Sequence, residues 1–220
     1  MIRKILISAV LIAGSASANA TLLFNEDFDN VNNLGAAGWL TGNFGTGGAT
    51  ADTWFQGNTG IFDAQAGSAD SYVASNYLSA GFGGNVDNWL VTPLIAALNG
   101  TVITFSTRTA GGLPGDNLEL LYNNVGNGDV LSDFVSLGVI SSADYPTDWQ
   151  AFNFMYAGAD ANLRFAFRYT VADTSLNGDY IGIDSLSVNT NVPEPGTMLL
   201  LASGLLLMPL TMRRRRREQR

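Results

Sequence analysis

The 220-residue chain contains no cysteine and no histidine, and its single lysine is Lys4. Disulfides, thiolate nucleophiles, zinc sites built from His or Cys, Ser-His-Asp triads and lysine Schiff bases are excluded together. Positive charge is scarce in the body as well. Between Thr21 and Val192 the cations are Arg108, Arg164 and Arg168, set against 17 Asp and Glu, a net of −14. A surface this acidic repels nucleic acid and anionic lipid, and attracts divalent cations and neutral or cationic partners. Glutamate is almost missing from the same stretch, where Glu26 and Glu119 stand alone. Carboxylates, tyrosines and hydroxyls are the catalytic groups that remain.

What is present begins at the two ends. Met1-Ile2-Arg3-Lys4, an apolar stretch from Ile5 to Gly14 and small residues ending Ala18-Asn19-Ala20 form the basic region, short hydrophobic region and A-x-A site of a secretory signal peptide. The expected signal is 1–20, with the mature chain starting at Thr21. At the other end, Gly196 to Met212 carries no charge. At about 1.5 Å per residue such a helix reaches roughly 25 Å, the short end of what crosses a bilayer. Arg213, Arg214, Arg215, Arg216 and Arg217 follow at once, and the preference of cytoplasmic flanks for arginine puts this end inside and the body outside.

Pro193-Glu194-Pro195, then the hydrophobic span, then the arginine cluster, resembles the PEP-CTERM sorting signal of Gram-negative bacteria. The resemblance covers 191–220. It implies that an exosortase in the inner membrane recognises and processes the tail, and that the body passes to the cell surface or the extracellular space. The prolines disfavour helix and keep the tripeptide extended, where an enzyme can reach it.

Between the ends, 21–190, the period is two. Leu163, Phe165, Phe167, Tyr169 and Val171 fall on one face of the segment from Asn162 to Ala172, and Arg164, Arg168 and Thr170 on the other, which predicts a half-buried strand. Ile103 and Phe105, Leu118 and Leu120, and Phe152, Phe154 and Tyr156 alternate similarly, and further runs lie at 71–78, 88–95, 134–140 and 179–188. Glycine, Asn and Asp clusters separate these nine or ten strands. The predicted class is all-β, a single jelly-roll β-sandwich. From Leu34 to Gly60, eight glycines alternate with Trp39, Phe44, Trp54 and Phe55, which predicts irregular backbone. Trp39 and Trp54 are then either buried anchors or the exposed aromatics of a ligand loop. Asp87-Asn88 reads as a turn launching a strand with Trp89 and Leu90 near the core. Arg164 and Arg168 read as cross-strand partners for acids.

"FNEDFDN", Gly38-Trp39, Trp54, "DNWLVTPLI" from Asp87 to Ile95 and "DYIGIDSLSV" from Asp179 to Val188 form an ordered set. It resembles the choice-of-anchor J or cleaved-adhesin domain, itself similar to MAM-like jelly rolls. The resemblance implies a non-catalytic β-sandwich on surface proteins, often with a structural calcium ion. Asp29 stands at the acid of the family's D-F-E, and Asp184 at the first acid of its C-terminal I-D-D, with Ser185 replacing the second. Calcium takes six to eight oxygens, and Asp29 and Asp184 can supply two if the first and last strands are neighbours. Glu26, Asp27 and Asn25 can add others. Separately, Ile181 and Ile183 share one face while Leu186 and Val188 fall on the other, so a bulge is expected at Asp184-Ser185.

Three functions follow. The leading one is an exported, non-catalytic surface or matrix module, sorted by the exosortase and associated with extracellular polysaccharide or adhesion. A lectin-like module using Trp39 and Trp54 is the second, and it needs Trp39, Trp54 or Trp89 to face solvent. A glycoside hydrolase is the third, since two carboxylates suffice for that reaction.

Overall fold

In a computed structural model, residues 20–190 other than 113 are described, and they form two facing antiparallel β-sheets. The strands in chain order are β1 (Leu22–Glu26), β2 (Leu40–Asn43), β3 (Phe55–Gln56), β4 (Val73–Asn76), β5 (Val86–Val91), β6 (Ile95–Ala97), β7 (Thr101–Thr109), β8 (Asn117–Asn123), β9 (Val135–Ile140), β10 (Gln150–Tyr156), β11 (Ala161–Val171) and β12 (Tyr180–Asn189). One sheet runs β10-β7-β12-β4-β3 with β1 added on β12; the other runs β2-β5-β11-β8-β9 with β6 added on β11. The all-β sandwich is as expected. The signal peptide at 1–20, all but its last residue, and the span and arginines of the tail lie outside the described residues. Among the described residues no helix is long and apolar enough to cross a membrane.

The two longest strands organise everything else. Each has an edge shared by two partners. β11 pairs with β5 over 166–171 and with β6 over 161–163, and at the changeover Thr92 binds Phe165 through both its amide and its hydroxyl. β12 pairs with β4 over 180–183 and with β1 from Leu186 onward. The first and last strands are therefore neighbours. At that second changeover the β12–β7 register slips between Asp184 and Ser187, and Ser185 takes φ 53°. The bulge brings Ile181, Ile183, Leu186 and Val188 into one core although their sequence phase changes.

That core is filled by the alternation of the two sheets' inner faces: Phe165, Phe167, Tyr169, Leu118, Leu120, Leu90, Ile103 and Phe105 are all buried there. A second cluster, Phe62, Tyr72 and Tyr180 with half-buried Trp149, lies apart from it, and Arg108 stacks on the Phe62 ring at 4.3 Å. Gly182 of β12 lies beneath. A Cβ there would come within 2.9 Å of Phe62, Tyr72 and Trp149, so only glycine lets the rings lie against the strand.

Two expectations need correction. The 34–60 region is not wholly irregular, because β2 and β3 form within it and pair with β5 and β4. β2 has mostly exposed side chains and β3 is two residues long, so neither carries a visible apolar alternation. Asp87 and Asn88 lie inside β5 rather than in a turn before it. Asn88 is fully buried and donates to the Ser75 and Ser79 hydroxyls, which satisfy its amide nitrogen where the pattern suggested a polar loop.

Candidate functional site

Of the carboxylates singled out from the sequence, Glu26, Asp27 and Asp29 lie at and just beyond the end of β1, and Asp184 lies at the bulge of β12. Glu26 pairs with Leu186 across the ladder. Its Oε1 accepts from the Phe28 amide at 3.0 Å, in a turn where Phe28 has φ 54° and a fully buried ring against Trp39. Asp29 Oδ1 accepts from the Ser71 hydroxyl at 2.8 Å. Asp184 is fully buried. Its Oδ2 accepts from the amides of Gln65 (2.8 Å) and Ala66 (3.1 Å) and its Oδ1 from that of Ser185, while the Ser185 hydroxyl donates to Gln65 Oε1 at 2.7 Å. Asp184 thus ties the loop between β3 and β4 to the bulge in β12.

This division matters for a metal. Three N–H groups already converge on Asp184, and they present positive ends to its carboxylate. Asp27, by contrast, accepts no hydrogen bond among the described residues, and one oxygen each of Glu26 and Asp29 is open. No group of three or more acidic side chains among the described residues is drawn together as a ready metal site. The exposed Asp27 and Asp29 side chains would have to swing toward Glu26.

Burial raises the pKa of Asp184, of the nearly inaccessible Asp116 and, with repulsion from Asp27 and Asp29 added, of half-buried Glu26. Carboxyls raised in the folded state contribute stability that is full below the unfolded pKa and is lost as pH rises through the folded one. Asp173 shifts the other way, held down by hydrogen bonds from the Ser175 hydroxyl and amide at the surface. The urea midpoint is therefore expected to be higher at about pH 4, near the ordinary carboxylate pKa, than at about pH 7.5. A midpoint that rises steadily toward pH 7.5 would contradict this.

The aromatic loop reading fails at its central residues. Trp39 and Trp54 are 3% and 7% exposed and belong to the main core, and Trp89 is 6% exposed. They are anchors, because the glycine-rich backbone around them has nothing else to hold it against the sheets.

A different face carries an open groove, which sequence reasoning passed over. On the outer side of the second sheet, Trp89, Arg168 and Glu119 stand in a row across β5, β11 and β8. Asp87 binds Arg168 bidentately, at 2.7 Å to Nε and 2.9 Å to Nη2, and its Oδ1 also accepts from Trp89 Nε1 at 2.8 Å. The guanidinium lies 5.2 Å from the Trp89 ring centre. Phe134, from the segment joining β8 to β9, meets Trp89 edge-on at 5.5 Å, and Phe44 beyond β2 is 53% exposed at the rim. The space enclosed is about 510 Å³. The cross-strand role expected for Arg168 holds. Arg164 instead donates to the carbonyls of Gly38, Thr92 and Asn127 and meets no acid among the described residues. The signal that could have pointed to the groove is the isolated arginine itself, sharing an outer face with Asp87, Trp89 and Glu119.

Fold and tail together define the class: an all-β sandwich that carries a PEP-CTERM protein-sorting motif, matched over residues 191–217. Among solved structures the chain is similar to cleaved adhesin domains of Lys-gingipain. The K1 domain from Porphyromonas gingivalis W83 shares 17% identity over 78% of this chain and 99% of that one, at TM-score 0.54. The K3 domain from the same strain shares 18% over 79% and 100%, at 0.51, and the K2 domain 17% over 75% and 98%, at 0.52. At these identities the likeness shows the fold. No curated protein matches the sequence.

Proposed function

We propose that this protein is an exported, non-catalytic surface module: a signal peptide at 1–20, an adhesin-like binding sandwich over 21–190, and a tail at 191–220 that an exosortase processes at the inner membrane. Its partner in this reading is extracellular polysaccharide. The observation that carries it is the joining of a sorting motif to a sandwich whose outer sheet face holds an open groove. A hydrolase is disfavoured at that groove because both oxygens of Asp87 are committed to Arg168, so the carboxylate beside Glu119 on the groove floor is not free to act as acid or nucleophile. The reading is tested in the producing cell by following the full chain. Replacing Pro193, Glu194 and Pro195 with alanine should leave the protein unprocessed in the inner membrane. Normal release to the surface of that variant would discard the sorting half of the proposal.

Calcium belongs to the same proposal, at Glu26, Asp27 and Asp29, with Asp184 fixing the adjacent loop. What supports it is like charge without a nearby cation: Glu26 is pushed up partly by Asp27 and Asp29, and the body's three arginines are engaged elsewhere. A divalent ion offsets that repulsion. Millimolar calcium is expected to raise the unfolding temperature of the full chain in detergent, and Asp29→Ala to abolish the rise. A wild-type midpoint indifferent to calcium would remove the ion from the proposal.

A further inference from the structure

The groove has a loose ion pair at its floor. Arg168 is locked by Asp87 through Nε and Nη2, while its Nη1 makes only a long ion pair with Glu119 Oε2 at 3.6 Å. Apart from this long ion pair, neither Arg168 Nη1 nor the Glu119 carboxylate has a side-chain or backbone partner among the described residues. A donor held by Asp87 and an acceptor only loosely paired with it thus lie side by side at the bottom of a cleft, at a spacing that two neighbouring hydroxyls can bridge, one accepting from the guanidinium and one donating to the carboxylate. The rest of the lining is mixed: Phe44, Phe134 and Leu131 offer apolar surface, Ser132 and Ser136 offer hydroxyls, and the Trp89 ring is nearly buried. The cleft continues past Phe44 and Leu131 into a further 190 Å³ reaching Leu40 on the edge strand β2, so it is a channel along the sheet face rather than a closed cup.

We infer that this groove binds a chain of neutral sugar units, the Arg168–Glu119 pair gripping a vicinal diol and the aromatic walls taking the C–H faces of the rings; the inference rests on the polysaccharide reading above and names its site and ligand class. Charge decides between ligand classes. The one cation in the groove already holds a carboxylate, and Asp87, Glu119 and Asp129 leave the lining net negative. Uronates, sulfated glycans, phosphates and lipid headgroups are repelled. An apolar peptide segment is excluded by the floor, since covering Glu119 and Arg168 without hydrogen bonds costs the desolvation of both charges. A neutral polyol with apolar ring faces satisfies floor and walls together.

The test uses the full chain in a detergent without a sugar headgroup. Its binding to soluble β-glucan, galactan and mannan, all neutral, is compared with binding to alginate, a polyuronate, for wild type, Phe44→Ala and Glu119→Gln. Phe44 is half exposed and Glu119→Gln keeps shape, so both variants are expected to fold, which their unfolding midpoints check. The expected result is binding to at least one neutral polymer, little affected by salt, that falls at least about tenfold in each variant. Neutral-polymer binding that both variants retain would overturn the groove assignment and leave the polysaccharide reading standing. Binding to alginate alone would overturn the ligand class. Binding to no polymer of either kind would overturn both this inference and the polysaccharide part of the proposed function.

Discussion

Phe167→Ala is expected to destabilise the protein by about 3–5 kcal/mol, which for a domain of this size lowers the unfolding temperature by roughly 6–20 °C. Phe167 is fully buried in the middle of β11, between Leu90 of β5 and Leu120 of β8. Its ring meets Phe105 of the opposite sheet edge-on at 4.8 Å. Truncation removes the contact that joins the two sheets at their centre, and the flanking ladders hold the backbone so that the cavity cannot close. Phe44→Ala removes the same ring from a half-exposed position and should change stability by no more than about 0.5 kcal/mol. Urea unfolding of the two variants beside wild type decides the matter. Similar midpoints for both would mean that the inter-sheet core is not where the structure puts it.

Asp184→Ala is the second large effect, and its cause is polar. Removing the carboxylate strands the amides of Gln65, Ala66 and Ser185, each of which costs about 1–3 kcal/mol if it stays buried. The charged form of Asp184 is itself disfavoured by burial, so part of that loss is returned. A net destabilisation of about 2–4 kcal/mol is expected at neutral pH. Asp184→Asn should be nearly as harmful, because its NH2 group faces N–H donors. In both variants hydrogen exchange over 57–70 should accelerate far more than over β11, since Asp184 is the tie between that loop and the bulge. Uniform acceleration across the sandwich would show that Asp184 supports the whole fold rather than the loop. The pH dependence should also flatten, because one of the three raised carboxyls is gone.

These two positions illustrate how far the amino-acid order could be read. Phe167 lies in a strict two-residue alternation from Leu163 to Val171, and solvent on one face with core on the other is the physical meaning of that pattern. The bulge at Asp184 was legible for the same reason: a phase change in an apolar strand has to be absorbed somewhere. Trp39 and Trp54 were not decidable, because glycine-rich backbone has no period and burial there depends on what packs over it. Asp87 and Asn88 were misread as a turn, since nothing local announces that Ser75 and Ser79 will accept from the Asn88 NH2 group and Arg168 will bind the Asp87 carboxylate inside the sheet.

By itself the sequence determined the chemistry that is impossible here, the two-period strands with their inner faces, and the sorting motif at the tail, because each depends on residue type and spacing along the chain. The tertiary structure alone decided which strands share an edge, which carboxylate is committed to amides and which is open, and that Asp87, Trp89, Glu119 and Arg168 meet on one outer face. Those outcomes depend on pairing between segments as far apart as Thr21 and Thr190, separated by 169 positions, and antiparallel registry between distant strands is set by how the whole core packs, not by any window of the chain.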